Sequence, residues 1–188
     1  MSKLLFLKRF FLNRKEIWSI IPSSGFLAKK MVISNYIKSS NVIIEIWAWT
    51  GSFTNEIFKH NLGWKKVFII EKDKFLYDLL IKKYPNYKKY IYNYDMMNLS
   101  DLLNQNNIKN IDLIISWIPF RSLPEDIFIW FMENIVFKYF TKKSIFIQFS
   151  YFTNTSKILQ NYFNKIQIKN CWLNIPKAVV FICLNYKK

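Results

Sequence analysis

Acidic side chains close several of the apolar runs in this 188-residue chain, and their spacing is the first chemical signal. Glu45 lies in the run Val42 to Ile46, and the loop Trp47-Ala48-Trp49-Thr50-Gly51 follows it directly. Glu71 closes a second run, Val67 to Ile70, twenty residues after Gly51. An acid at that distance from a first strand–helix turn suits hydrogen bonding to the hydroxyls of a ribose. Lys72 follows it. Asp95 and Met96 come after a third, weaker run, where an adenine amino group would lie. A fourth run ends in Ser116-Trp117-Ile118-Pro119-Phe120, and a fifth in Gln148-Phe149-Ser150-Tyr151. Tyr151 is the candidate catalytic or substrate-bordering group. Nothing points to a metal, since His60 stands alone at a helix end and reads as a surface residue. Cys171 and Cys183 form no paired motif and read as small core residues, which makes a reducing cytoplasm the default compartment.

These groups need a frame that brings strand ends together. Short runs rich in Ile and Val alternate with longer helical segments. Strands are expected at Val42–Ile46, Val67–Ile70, Tyr87–Tyr92, Ile111–Ser116, Ser144–Phe149, Lys165–Lys169 and Ala178–Leu184. Helices are expected at Thr54–His60, Lys74–Lys83, Leu99–Gln105, from Pro124 to about Tyr139, and at Ser156–Phe163. Continuous apolar strands separated by helices indicate a parallel sheet covered on both faces. The expected fold is α/β, a doubly wound, mostly parallel seven-stranded sheet. No helix separates the two C-terminal strands, so they should pair antiparallel at one edge. Such a sheet binds its ligand beyond the carboxyl ends of the strands, where strand order reverses. The loop at 45–51 stands at that point.

Composition sets further bounds. With 52% hydrophobic residues the chain can fill one core, and residues 1–188 read as one domain. Residues 1–40 read as a helical N-terminal extension over the site. No stretch reaches the roughly 18 uncharged apolar residues of a membrane span. Lys8-Arg9 interrupts what would be the apolar centre of a signal peptide. A net charge of +16, spread along the chain, attracts polyanions: nucleic acid or an anionic membrane face. Leu4, Leu7 and Phe11 share one face of the first helix, with Lys8, Arg9, Arg14 and Lys15 around it. Such a helix can lie in an anionic interface, or it can pack on the core. A cytoplasmic protein, peripheral on the inner membrane face, fits the first option.

Taken in order, these elements resemble the class I S-adenosylmethionine-dependent methyltransferases, over about 20–184. Residues 45–51 match their E-x-G-x-G-x-G cofactor loop, and Glu71 and Asp95 match their next two cofactor motifs. The resemblance implies S-adenosylmethionine as cofactor. It implies a cofactor site made of Glu45, Trp47, Ala48, Trp49, Thr50, Gly51, Glu71, Lys72, Asp95, Met96 and Ser116. Trp117, Ile118, Pro119 and Phe120 would form the substrate loop, and no metal is implied. Two branches compete. The rRNA adenine dimethyltransferases use an N-L-P-Y type loop and usually carry an added C-terminal helical domain. The bacterial phospholipid N-methyltransferases, which act on phosphatidylethanolamine, have an S-G-L-P loop that Ser116-Trp117-Ile118-Pro119 resembles more closely. Ile20-Ile21-Pro22-Ser23-Ser24-Gly25-Phe26-Leu27-Ala28 and Leu173-Asn174-Ile175-Pro176-Lys177-Ala178 also resemble segments of that branch. A lipid or anionic membrane surface is therefore the first expected partner and RNA the second.

One departure cuts across the resemblance. Trp47, Trp49 and Trp117 stand where the family has glycine, and an indole at 47 or 49 should fill the pocket. Glycine occurs 3 times and tryptophan 7 times, whereas glycine usage of roughly 7% would give about 13. Trp18 and Trp64 also fall at turn-like positions. Two readings stay open. Either several of these residues are glycines encoded by UGA and read as tryptophan, or the domain is an inactive relative that binds RNA or a membrane.

Overall fold

A computed structural model describes residues 25–120, 124–172 and 177–187, with the Phe26 side chain not described. The basic helix expected near Leu4–Lys15, Trp18, and most of the two lipid-branch segments lie outside the described residues. In chain order the elements are α1 (Gly25–Met31), α2 (Ser34–Ser39), β1 (Val42–Ile46), α3 (Ser52–Phe58), β2 (Lys66–Glu71), α4 (Lys74–Lys83) and β3 (Ile91–Asn93). There follow α5 (Leu99–Gln105), β4 (Ile111–Ser116), α6 (Glu125–Phe131), β5 (Phe140–Ser150), α7 (Thr155–Leu159), β6 (Phe163–Cys171) and β7 (Ala178–Tyr186).

The seven strands form one sheet in the order β3-β2-β1-β4-β5-β7-β6. β3, β2, β1, β4 and β5 run parallel. β7 runs antiparallel to both β5 and β6. The expected antiparallel C-terminal pair is therefore present. β7 inserts between β5 and β6, which leaves β6 as the edge. Chain order reverses at β1, which sits between β2 and β4. The loop after β1 opens at that switch point.

Burial explains the unbroken apolar runs. Ile44, Ile46, Ile114 and Phe146 join one core with α5, α6 and their neighbours. Ile43, Leu113, Ile115 and Ile147 join the core on the other face with α1, α3 and Leu80 of α4. Strands buried on both faces have no solvent side to make polar, so alternation disappears. α1 packs in the second core through Leu27, Ala28 and Met31, beside Cys171 and Val180.

Three expectations need correction. Tyr87–Tyr92 is not a strand: Pro85 starts a tight 3-10 turn that runs to Tyr90, and only Ile91–Asn93 pairs. The long helix after Pro124 is α-helical only through Phe131 and continues as a π-helical turn over Met132–Phe137. The helix expected over Ser156–Phe163 ends at Leu159, because Phe163 already pairs with Tyr186 in the sheet.

Candidate functional site

β1 ends inside the sheet, and its exit is tied to both neighbouring strands. Trp47 and Ala48 donate their backbone N–H groups to the Ile70 carbonyl of β2, at 3.0 and 3.2 Å. The Trp117 N–H donates to the Ile46 carbonyl at 3.1 Å, which joins the loop after β4 to the same point. The chain then turns sharply. Trp47, Trp49 and Gly51 have φ of 65°, 53° and 79°, all in the left-handed region. For an L-residue that conformation costs roughly 1–2 kcal/mol, and a bulky residue there is an outlier. Gly51 has two reasons to be glycine. Besides its φ, a Cβ there would lie 2.7 Å from Leu80 and 2.8 Å from the Tyr84 ring. The Tyr84 hydroxyl donates to the Gly51 carbonyl at 2.9 Å, and the Lys83 ammonium to the Thr50 carbonyl at 2.9 Å.

Glu71 closes β2 almost fully buried, 4% exposed. One carboxylate oxygen accepts the Trp49 N–H at 2.9 Å, and the other accepts the Asp73 N–H at 2.8 Å. Asp73 in turn caps α4 by accepting the Leu76 N–H at 3.0 Å. Bonds to an ionised acceptor stabilise by about 1.5–3 kcal/mol each, so Glu71 fixes both the first loop and the start of α4. Glu45 is 1% exposed, and Thr54 of α3 donates its hydroxyl to it at 2.8 Å. Burial lifts the Glu45 carboxyl from 4.5 to about 8, against the lowering effect of the Thr54 hydrogen bonds and with a further push from the Glu71 charge.

The other expected residues fall as follows. Lys72 and Asp95 meet each other in an ion pair at 2.5 Å, and Asp95 also accepts the Met97 N–H at 3.1 Å. Met96 is buried in the core on the α5 face. The buried Ser116 hydroxyl accepts the Ile118 N–H at 3.2 Å. Ile118 is buried and its carbonyl accepts from Gln148 at 2.8 Å. Pro119 is partly buried. Phe120 turns into the core, edge-on to Phe128 of α6 at 4.9 Å. Tyr151 meets Phe149 edge-on at 4.6 Å, and Phe149 stacks on Trp117 at 5.3 Å. Tyr151 is thus one ring removed from the Trp117 indole, and burial pushes its hydroxyl up to about 12. It borders a cavity of about 220 Å³ with Thr153, Trp172 and Lys177.

Thr54, Asp73 and Gln148 were not singled out from the sequence. Gln148 carried a signal, as a lone polar residue within Ile145-Phe146-Ile147-Gln148-Phe149. Asp73 carried the signal of a helix cap, an Asp directly before Lys74, while Thr54 carried none, since its partner is fixed only by the folded loop.

Three indoles occupy the cleft itself. Trp49 lies 5.7 Å from Trp117 and 6.5 Å from Trp47, centroid to centroid, and Phe53 meets Trp117 edge-on at 5.3 Å. Between Glu45, Trp47, Ala48, Trp49, Phe53 and Trp117 a cavity of only about 10 Å³ remains. That is about the space of one water. Among the described residues, the indole nitrogen of Trp117 and the Gln148 side-chain oxygen are buried without a hydrogen-bond partner. The described residues include no group of three or more His, Cys, Asp or Glu that could hold a metal ion. None of their helices is long and apolar enough to cross a membrane.

No family model matches the chain. Over 124 residues it is 28% identical to an ornithine lipid N-methyltransferase of Singulisphaera acidiphila. The match covers 65% of this chain and 65% of that protein, so the chain spans just under two thirds of that relative's length. Among solved structures, an O-methyltransferase from Bacillus cereus in complex with SAH superposes with a TM-score of 0.63 at 11% identity, over 98% of this chain and 92% of that one. Human methyltransferase-like protein 13, also in complex with SAH, gives 0.60 at 10% identity, over 85% and 79%. A protein from Pyrococcus horikoshii, provisionally described as an RNA methyltransferase, gives 0.60 at 15% identity, over 87% and 84%. The chain has the class I methyltransferase fold.

Proposed function

We propose that this chain, built on the class I methyltransferase fold, descends from the S-adenosylmethionine-dependent methyltransferases and, with the cleft after β1 open, acts as one whose acceptor is the amino group of a lipid head group, of the phosphatidylethanolamine type. The observation that carries the reading is the pairing of a thrice left-handed loop after β1 with the buried Glu71 at the tip of β2. A loop of that shape brings backbone close to a ligand, and an acid beside it suits a ribose diol. Glu45, Ala48, Thr50, Gly51, Lys72, Asp95, Met96 and Ser116 complete the proposed cofactor site. Trp117 to Phe120 form the proposed substrate loop, with Tyr151 beyond it.

The residues as written do not fit the cofactor. A cavity of about 10 Å³ cannot admit a nucleoside, and the side chains of Trp47, Trp49 and Trp117 are what close it.

Two observations support a lipid acceptor, beside a net charge of +16 that suits lipid and nucleic acid alike. The aligned relative acts on an ornithine lipid. The Ser116-Trp117-Ile118-Pro119 loop resembles that of the phospholipid branch. Incubating a W47G/W49G/W117G variant with methyl-labelled cofactor and either phosphatidylethanolamine vesicles or rRNA tests the acceptor. Label in the lipid is expected, and label only in the RNA would overturn the choice. The filled cleft favours one second reading, an inactive relative that binds a polyanion without cofactor. No label in either acceptor would favour it.

A further inference from the structure

Among the described residues, four that are not glycine have positive φ: Asn107, Asn185, Trp47 and Trp49. The two asparagines need no explanation, because their short polar side chains tolerate the left-handed region. The two tryptophans do. They are bulky, they stand two residues apart, and Gly51 continues the same alternation at φ 79°. One loop thus places three left-handed residues at 47, 49 and 51, and only one of them is the residue that such a backbone asks for.

A second observation is independent of the backbone. Trp117 comes from a different loop, and its φ is not positive. Its indole nevertheless enters the same cleft, against Trp49 and Phe53. It buries a nitrogen with no partner among the described residues, which native interiors rarely tolerate. Three indoles therefore converge on the one place where this topology binds ligands, while the polar groups beneath them stay built and bonded. Glu71 keeps both its oxygens engaged, and Glu45 holds its bond to Thr54. Decay of an unused site would not be expected to spare its acids and select one residue type at its three closest approaches. The composition points the same way, with 3 glycines and 7 tryptophans in 188 residues.

We infer that positions 47, 49 and 117 are glycine in the protein that the cell makes, each encoded by UGA and decoded there as glycine. The backbone and packing carry this by themselves, and it rests on the proposed function only for what the opened cleft would hold. Trp130 stays outside the inference. It lies within α6, where φ is helical and glycine would weaken the helix. Trp64 and Trp172 are largely exposed and close no cleft.

Peptide mass mapping of the protein isolated from its native cells, read beside the gene, decides the matter. The expected result is UGA at codons 47, 49 and 117. The tryptic peptides Ser39–Lys59 and Asn110–Arg121 should carry the masses of glycine at those positions. UGG codons at 47 and 49, or peptide masses with tryptophan, would overturn the inference. Glycine masses in a protein that binds no S-adenosylmethionine would uphold it and sink the proposed function instead, so the two failures are separable.

Discussion

The backbone N–H of Trp49 donates to the Glu71 carboxylate at 2.9 Å, across the gap between the loop after β1 and the tip of β2. The bond engages the main chain of residue 49 and asks nothing of its side chain. A glycine at 49 would make it equally well. Loop and acid therefore remain registered to one another whichever residue stands at 49, while the indole decides whether the cleft is open.

Replacing Trp47 or Trp49 by glycine should cost little stability. Truncating a buried aromatic usually costs about 3–5 kcal/mol. Trp47 and Trp49 are only partly buried, which brings the loss below that range, and relief of a left-handed backbone worth roughly 1–2 kcal/mol offsets it further. Each single W→G variant should therefore lose less than about 2 kcal/mol in urea unfolding. A loss of about 4 kcal/mol or more would show that the indoles are built into the fold.

Gly51→Ala should behave in the opposite way. Its φ is 79°, and the new Cβ would meet Leu80 and Tyr84 below 3 Å. A loss of about 1–3 kcal/mol is expected from overpacking and backbone strain together. An unchanged unfolding midpoint would contradict the loop geometry.

Glu71→Gln leaves an acceptor for only one of two N–H groups and removes the charge. In a W47G/W49G/W117G background the loop and the start of α4 should loosen, with a loss of about 1.5–3 kcal/mol. Cofactor affinity should fall at least ~10-fold, the equivalent of about 1.4 kcal/mol. Unfolding curves and titration calorimetry on the same samples read both. Unaltered affinity would remove Glu71 from the site.

Glu45 sets a pH dependence. Its folded pKa is raised, from 4.5 to about 8, chiefly by burial. The unfolded chain loses this proton first as pH rises, so the folded state binds more protons between the two values. The stability associated with neutral Glu45 is complete below pH 4.5 and is lost as pH rises through about 8. Glu45→Gln keeps an acceptor for Thr54 and cannot ionise. Its melting temperature should gain on the parent's steadily between about pH 5 and about pH 8. Parallel melting curves across that range would contradict the burial argument.

Much of the frame was legible in the sequence because its strands are buried on both faces. Val42–Ile46 and Ile111–Ser116 are Ile-rich runs, interrupted only by Glu45 and Asp112 before the closing Ser116, with the bounds observed for β1 and β4. Lys74–Lys83 also coincides with α4, whose start is marked by the capping Asp73. The misses have local causes. Tyr87 to Tyr92 is rich in aromatic and β-branched residues that favour strands, yet Pro85 and the following turn take all of it before Ile91. The π-helical turn at Met132–Phe137 leaves no mark in an apolar helical pattern. At the site, Glu45, Glu71 and the two tryptophans were visible as residue types at telling positions. The left-handed φ values, the Thr54 bond to Glu45 and the closure of the cleft by Trp117 depend on chain segments meeting in space.

Titration of S-adenosylmethionine into the chain as written and into a W47G/W49G/W117G variant tests the central claim most directly. Saturable binding by the variant is predicted, at least ~100-fold tighter than by the chain as written, a difference of about 2.7 kcal/mol. Equal affinity, or no binding by the variant when its fold is intact, would contradict the account.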